Sequence, residues 1–259
     1  MTHPLQKDTG PSPSFPSLKE LCKRHNIRFK KALGQNLLLD DNINKIMTDA
    51  AELTEQDGVI EVGAGLGALT KRILFRAGSV LAMEIDPLFM PCLEEQFGVY
   101  EHVRLFRGDI LNHDLDQLVG EFLPNARCLK MVSNLPYYIT TPVLFHFLES
   151  PVFFDRLVVM TQLEVGERLT APVGADNYGA LSLAARLYAE TDIVHRVSAT
   201  CFLPKPKVDS CIVRFRLRRE PLLPGLDAPW TMKVVRAAFQ QRRKTLRNTL
   251  SAQGLGLSR

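Results

Sequence analysis

Four consecutive residues, Asn134-Leu135-Pro136-Tyr137, combine hydrogen-bond acceptors with an aromatic ring. The Asn134 side-chain oxygen and the Leu135 main-chain carbonyl, turned inward by the fixed φ of Pro136, can each accept a hydrogen from an amine. The N6 amine of adenine needs such acceptors more than a strong base, because its lone pair is delocalised into the ring. Tyr137 can stack on a base that has left its helix. These residues therefore predict chemistry at an adenine amine, although an ordinary turn with a capping Asn and a packed Tyr is the alternative.

A glycine-rich segment over 61–67, EVGAGLG, indicates a ligand close to the main chain. Gly63 and Gly65 let the backbone turn sharply and let a ligand approach. The spacing is G-x-G-x-G, whereas dinucleotide sites need G-x-G-x-x-G, and the next helix is expected to start at once. The segment thus leaves no added space for a pyrophosphate and favours a ligand without phosphates.

Acidic residues end the next two predicted strands. Glu84 stands at the distance after Gly63 where a carboxylate can accept both ribose hydroxyls of a nucleoside. Asp109 follows the third strand and could accept a hydrogen from an adenine amine. Solvated strand-end acids are the alternative, but sheets of this kind bind ligands at the carboxyl ends of their strands. We therefore predict a nucleoside methyl donor, S-adenosylmethionine.

An α/β sheet must position these residues. Short apolar runs such as GVIEVG, VLAMEID and LKMVSNLP alternate with helix-like stretches, which predicts right-handed βαβ units and a mostly parallel, Rossmann-like sheet covered on both faces. The runs TDIVHRVSATCF and VDSCIVRFRLR should form an antiparallel hairpin at the sheet edge. After them, WTMKVVRAAFQQRRKTLRNTL predicts a basic amphipathic helix or helix pair.

Three parts follow from this pattern. A proline-rich leader over 1–17 is predicted to be disordered, 18–219 to form the S-adenosylmethionine-dependent methyltransferase domain, and 220–259 to form a small basic helical C-terminal domain. No stretch approaches the roughly 18 apolar residues that a membrane-spanning helix needs, and the start lacks an apolar signal core. We therefore expect a cytoplasmic protein that does not bind a membrane.

The charge distribution favours a polyanionic partner. The net charge is only +4, but bases cluster near both ends of the chain, and each phosphate that a base neutralises releases counterions. A solvated helix face is the alternative. The predicted RNA-binding residues are Lys30, Lys31, Arg242, Arg243, Lys244 and Arg247.

The five cysteines are scattered and show no C-x-x-C spacing. We expect them to be reduced and mostly packed inside, without zinc or another metal. A cytosine-C5 methyltransferase would need a thiol at the fourth strand end. Cys92 instead falls in the helix predicted after the second strand, which disfavours that reaction.

The motifs resemble, in order, those of the ribosomal RNA adenine dimethyltransferase family, over about residues 29 to 250. They are GQN, EVGAGLGALT, MEID, GDI, NLPYYITTP, VVMTQLEVGERL, FLPKPKVDS and QRRKTLRN. The resemblance implies a class I methyltransferase fold. It also implies methyl transfer from S-adenosylmethionine to two adjacent adenines in a hairpin near the 3′ end of 16S rRNA, on the small-subunit precursor. We also expect a monomer and no metal.

The resemblance also implies site residues. Phe202 would form a second aromatic wall around the target adenine, although a core Phe at a strand end is the alternative. Leu37 and Tyr138 depart from the commoner family residues and should alter packing more than chemistry. The cofactor would be lined by Asn36, Leu38, Gly63, Glu84, Asp109 and Asn134.

Two other functions stay open. One is N6 methylation of 23S rRNA adenine, of the macrolide-resistance type, but LPYYITTPVLFHFLE and YGALSLAARL look more like a small-subunit enzyme. The other is a non-catalytic nucleic-acid-binding factor on the same fold. Intact donor-site residues argue against that factor.

Overall fold

A computed structural model describes residues 15–27, 36–220, 222, 225, 227–240 and 244–252. Most of the predicted leader, residues 1–14, lies outside these ranges, as do the predicted RNA-binding residues at positions 30, 31, 242 and 243. Phe15, near the end of that predicted leader, is among the described residues. Its ring centroid lies 5.6 Å from that of Phe97 and 6.4 Å from that of Tyr100.

Ten α-helices and nine β-strands make up the described part of the chain. The helices are α1 (Leu18–Arg24), α2 (Asp41–Ala50), α3 (Thr70–Leu74), α4 (Met90–Phe97), α5 (Leu115–Phe122), α6 (Thr140–Leu148), α7 (Leu163–Thr170), α8 (Ala180–Tyr188), α9 (Ala228–Phe239) and α10 (Leu246–Ala252). The strands are β1 (Leu37–Leu38), β2 (Asp57–Val62), β3 (Ser79–Glu84), β4 (Val103–Arg107), β5 (Cys128–Asn134), β6 (Arg156–Gln162), β7 (Ala189–Val197), β8 (Phe202–Leu203) and β9 (Ser210–Leu217).

Seven strands form one sheet in the order β4-β3-β2-β5-β6-β9-β7. The first five are parallel, whereas β9 pairs antiparallel with both β6 and β7. The predicted α/β class, mostly parallel sheet and antiparallel hairpin are confirmed. Within this hairpin, β9 is the inner strand, next to β6, and β7 is the edge strand of the sheet. The chain places β3 and β4 on one side of β2 and then places β5 and β6 on the other side. The boundary between β2 and β5 is a switch point, which opens a crevice at the carboxyl ends of the strands.

Apolar layers on both faces hold the sheet. Every residue of β2 is buried, and successive residues face opposite layers because side chains alternate along a strand. Ile60 packs in the cluster that contains Phe147 of α6, whereas Val59 packs with Met47 of α2 and Ile73 of α3. Helices therefore cover the central strands from both sides, as parallel sheets require.

One buried ion pair joins two central strands. The Nζ atom of Lys130 in β5 lies 2.9 Å from Oδ2 of Asp57 in β2 and also donates to the Glu52 carbonyl at 2.7 Å. Both charged side chains are almost fully buried. Removing either partner would leave the other charge unpaired in the interior.

Two features depart from the sequence expectations. Helix α3 begins at Thr70, after a turn that follows Gly67, and has only five residues. Strands β1 and β8 form a separate antiparallel pair, which aligns Leu38 with Phe202. That pairing joins segments far apart in the chain, so no local pattern could indicate it.

The C-terminal bases lie on and after a helix that is packed on the sheet domain. Met232 and Val235 of α9 contact Ala184 and Leu187 of α8. This apolar contact fixes one face of α9, so its basic residues must project elsewhere. None of the described helices is long and apolar enough to cross a membrane.

Candidate active site

A cleft opens at the switch point, at the carboxyl ends of β2, β3 and β5. All the predicted catalytic and cofactor-binding residues line this one cleft, although they come from distant segments. They are Asn36, Leu38, Gly63, Gly65, Glu84, Asp109, Asn134, Leu135, Pro136, Tyr137 and Phe202.

The glycine loop turns tightly over the end of β3. Gly63 has φ +76° and Gly67 has φ +81°, values that other residues rarely adopt. A Cβ atom on Gly67 would also lie 2.3 Å from the Phe97 ring. The amides of Gly63 and Ala64 donate to the Met83 carbonyl at 2.8 and 3.0 Å. The loop is therefore fixed against the sheet, with its backbone along the cleft.

Glu84 is buried at the end of β3, which excludes the solvated alternative. Its carboxylate accepts three main-chain hydrogen bonds, from Gly65 at 2.8 Å, Ile85 at 2.9 Å and Asp86 at 2.8 Å. Burial raises the pKa of this carboxyl group, and the three N–H donors oppose that rise. Because a carboxylate has about four acceptor positions, about one remains for a ligand hydroxyl.

Asp109 follows β4 and faces the same cleft. Its Oδ1 atom accepts from the Leu111 amide at 3.1 Å and so caps a single turn of 3₁₀ helix. The main-chain carbonyl of Asp109 lies 2.8 Å from Nδ1 of the His113 ring. These bonds fix the residue, and in the described part of the chain Oδ2 accepts no hydrogen bond, so it can accept one from a ligand.

Glu61 is a cleft residue that the sequence reasoning missed. It is 1% exposed, and its Oε2 atom has no hydrogen-bond partner within the described part of the chain. Burial raises the pKa of this carboxyl group to about 8; nearby Thr70 opposes the rise and Glu84 adds to it. An acid within the apolar run GVIEV, directly before the glycine loop, was the available signal.

A buried carboxyl group with an unpartnered oxygen fits a positively charged ligand. S-adenosylmethionine carries a sulfonium and an α-ammonium group, and Glu61 lines the cleft where a nucleoside was predicted. The donor set therefore suits this cofactor in charge as well as in its polar contacts. Among the described residues, no group of three or more His, Cys, Asp or Glu side chains is arranged to hold a metal ion.

Part of the cleft wall is aromatic, and a hydrogen bond holds one of its side chains. The Tyr137 hydroxyl lies 2.7 Å from Oγ of Ser210, a fully buried residue at the start of β9. Burial raises the pKa of the Tyr137 hydroxyl. The Pro136 carbonyl accepts from the Ile139 amide at 3.1 Å, just before α6 begins. Phe202 is buried and lines the same cleft, so two aromatic residues contribute to this wall.

Residues outside the cleft also bear on the predictions. Cys92 lies in α4 within a separate apolar cluster, and burial raises the pKa of its thiol to about 11, which does not suit a nucleophile. All five cysteines are free, but only Cys92 and Cys211 are fully buried. Of the predicted RNA-binding residues, Lys244 and Arg247 are described, and both are exposed.

Comparison with known proteins gives concordant matches. The family described as ribosomal RNA adenine dimethylase matches residues 26–256. The chain is 44% identical over 235 residues to ribosomal RNA small subunit methyltransferase A of Latilactobacillus sakei, covering 91% of this chain and 79% of the relative. It is 42% identical over 233 residues to the protein of that name from Bacillus mycoides, covering 90% and 80%.

Solved structures of similar fold agree. A dimethyladenosine transferase from Plasmodium falciparum has a TM-score of 0.72 at 27% identity, with 85% of this chain and 76% of that chain covered. The 23S rRNA methyltransferase ErmE has a TM-score of 0.68 at 28% identity, with 83% and 84% covered. Both neighbours are rRNA or adenosine methyltransferases by name, and both share the architecture described above.

Proposed function

The chain belongs to the ribosomal RNA adenine dimethylase family, and from this membership we infer that it is an S-adenosylmethionine-dependent enzyme that dimethylates adenine in small-subunit rRNA. The observation that carries the inference is the junction of two sets of residues at the switch point. Asn134 to Tyr137 offer acceptors and a ring to an adenine amine, and the glycine loop with Glu84 and Glu61 offers a site for a cationic nucleoside.

We further propose the finer target of two adjacent adenines in a hairpin near the 3′ end of 16S rRNA. The relatives of 42–44% identity are named as small-subunit methyltransferases, which supports this choice. A monomer acting in the cytoplasm on the assembling subunit is part of the same proposal.

We assign a role in the reaction to each residue on the target side of the cleft. S-adenosylmethionine, when bound, would supply a methyl group on a positively charged sulfur: the amine nitrogen would bond to the methyl carbon as the carbon–sulfur bond breaks, and S-adenosylhomocysteine would leave, with no covalent enzyme intermediate. The Asn134 side-chain oxygen and the Leu135 carbonyl accept the N6 hydrogens, which localises the lone pair on nitrogen. Tyr137 and Phe202 hold the base, so the reacting atoms are oriented before the reaction.

The remaining cleft residues hold the donor in this proposal. Glu84 accepts a hydrogen bond from the ribose, Asp109 accepts a hydrogen from the donor's adenine amine, and Glu61 faces the donor's positive charge. Asn36 and Leu38 line the same part of the cleft. The basic residues near both ends of the chain bind the RNA backbone, and they include the exposed Lys244 and Arg247.

Methyl transfer to purified ribosomal subunits tests the function. Small subunits from a strain that lacks this protein, incubated with the enzyme and labelled S-adenosylmethionine, should gain up to four methyl groups, two on each of two adenines that sequencing of the RNA then locates. Large subunits should gain none. Asn134→Ala serves as the inactive control.

The similarity to ErmE supports a second candidate, methylation of 23S rRNA. Label that enters only RNA from large subunits would establish that candidate instead. A protein that shifts RNA in a gel but transfers no methyl group to either subunit would be a non-catalytic binding factor, and the enzyme assignment would fail.

A further inference from the structure

Tyr138 is an exposed aromatic residue at the cleft. It follows Tyr137 directly and lines the same cleft, yet 58% of it is exposed. The described part of the chain gives its ring no aromatic partner and its hydroxyl no hydrogen bond, whereas the Tyr137 hydroxyl bonds to Ser210. The expectation that Tyr138 alters packing more than chemistry stays a prediction, and more than half of the residue is exposed to solvent.

A short segment, 203–208, lies beside the same opening. Its two ends are tied to the target side of the cleft, since Phe202 lines the cleft and Ser210 bonds to Tyr137. Between these anchors the side chains of Leu203 and Val208 are 52% and 46% exposed. An apolar surface so close to the cleft is available to a ligand that extends out of it.

The same segment is positively charged. Lys205 and Lys207 are exposed, and neither forms a salt bridge with any residue that the structure describes. The nearest acid in sequence, Asp209, is engaged locally, since its carboxylate accepts from the Ala199 amide at 2.8 Å. Segment 203–208 therefore presents unneutralised lysines next to apolar side chains, a combination that suits single-stranded nucleic acid.

We propose that Tyr138 and segment 203–208 form a second nucleotide site, which binds the nucleotide adjacent to the target adenine. Tyr138 stacks on the base of that neighbour, and Lys205 and Lys207 contact the adjoining phosphates. The reason is physical: a target base that turns into the cleft leaves its neighbour without a stacking partner. An exposed ring at the opening replaces that partner. The site rests on the proposed function, because it presumes a polynucleotide whose adenine enters the cleft.

RNA binding by matched variants tests the stacking contact. The ligand is a fluorescent single-stranded RNA oligomer with one adenine, in the presence of S-adenosylhomocysteine. Two further oligomers carry an abasic residue on the 5′ or the 3′ side of that adenine. Tyr138→Ala should weaken binding of the intact oligomer about tenfold, the usual effect of losing one stacked base. Tyr138→Phe, which keeps the ring, should bind like the wild type.

The abasic oligomers make the test specific. Wild-type protein should lose about tenfold with one of them, and Tyr138→Ala should lose nothing more with that oligomer. Phe75→Ala is the matched control, because Phe75 is 54% exposed but follows α3 and lies beside residues 53–56, just before β2 begins and outside the residues that line the cleft. It should bind like the wild type. If Tyr138→Ala weakens binding by the same factor with the intact oligomer and with each of the two abasic oligomers, the second site does not exist.

The salt dependence of binding tests the phosphate contacts. Lys205→Ala combined with Lys207→Ala should reduce the slope of log affinity against log salt by about 1.4, that is about 0.7 for each single-strand phosphate contact. Lys45→Ala is the control, since Lys45 is exposed but paired with Asp49 at 2.6 Å, and its slope should not change. An unchanged slope in the double variant would remove the phosphate contacts from the proposal.

Failure of the second site and failure of the proposed function give different results. Methyl transfer to small subunits is measured with the same proteins. A wild type that transfers no methyl group, but loses affinity for one abasic oligomer, overturns the function and keeps the site. A wild type that methylates normally, with Tyr138→Ala unaffected in affinity and rate, overturns the site and keeps the function.

Discussion

Glu61 should release a proton when S-adenosylmethionine binds. Its carboxyl group is buried, Oε2 has no partner among the described residues, and burial raises its pKa to about 8. The protein without ligand therefore holds Glu61 largely in the neutral form at pH 7. A positive charge placed beside the group favours the ionised form and lowers its pKa. The variant that isolates this effect is Glu61→Gln, which keeps the shape of the side chain and cannot ionise.

The size of the proton release follows from the pKa. A group with a pKa of about 8 is protonated in about nine molecules of ten at pH 7. If the bound cation lowers the pKa well below 7, binding releases about 0.9 proton per molecule of ligand. Glu84 also has a raised pKa, but the ribose hydroxyl that it is proposed to hold is neutral. It should therefore contribute little.

Isothermal titration calorimetry measures this release directly. The heat of binding is recorded at pH 7 in phosphate, which has a small ionisation enthalpy, and in Tris, which has a large one. The released proton is taken up by the buffer, so wild-type binding should be more exothermic in Tris. Glu61→Gln should give equal heats in both buffers. A wild type without buffer dependence, or a Gln variant that keeps it, would refute the assignment of Glu61 to the donor's charge.

The other predictions concern catalysis, RNA binding and stability. Asn134→Ala should lose about a hundredfold or more in methyl transfer while RNA affinity in gel shifts is kept; a normal rate with lost affinity would reverse its role. Asp57→Ala leaves the Lys130 ammonium unpaired in the interior and should lower the free energy of unfolding in urea by about 3–5 kcal/mol, whereas an apolar replacement of both should cost less. Between about pH 4.5 and pH 8, Glu61 is ionised in the unfolded state but still protonated in the folded, ligand-free state. The free energy of unfolding should therefore fall as pH rises through this range. Urea titrations at pH 5.5 and 8 should show this loss in the wild type but not in Glu61→Gln. Replacing the basic residues Arg242, Arg243 and Lys244 together by Ala should weaken RNA binding. It should also reduce the slope of log affinity against log salt by about 0.9 for each duplex phosphate that these residues neutralise in the wild type. An unchanged slope would mean that RNA binds elsewhere.

The order of the predicted strands and motifs along the chain was enough to predict much of the fold and the residues of the cleft. Parallel strands end at the same edge, so residues that follow successive strands must meet there. Glu84 and Asn134 end such strands, Gly63 and Asp109 follow them closely, and the structure places all four in one cleft. Neither charge nor composition was needed for that step.

Burial and long-range contacts could not be predicted in the same way. Glu61 belongs to a strand whose residues are all buried, but its burial depends on two layers that form only when the sheet is complete. The hydrogen bond between Tyr137 and Ser210 joins residues 73 positions apart. It requires β9 to pair beside β6, an order that the hairpin pattern did not specify. Such contacts decide how rigidly a side chain is held, and the periodicity of apolar residues within a single strand or helix does not predict them.

The small β1–β8 sheet connects two motifs that lie far apart in the chain. It pairs Leu38 with Phe202, and the Leu39 amide donates to the Cys201 carbonyl at 2.8 Å. We assign Leu38 to the donor side of the cleft and Phe202 to the target side, so this ladder links the two walls directly. Direct displacement depends on the distance and angle between two separately bound molecules, and a small misplacement costs much of the rate. A backbone pairing is a stiffer link between the walls than side-chain contacts alone, which gives the two-residue strands a purpose beyond their own stability.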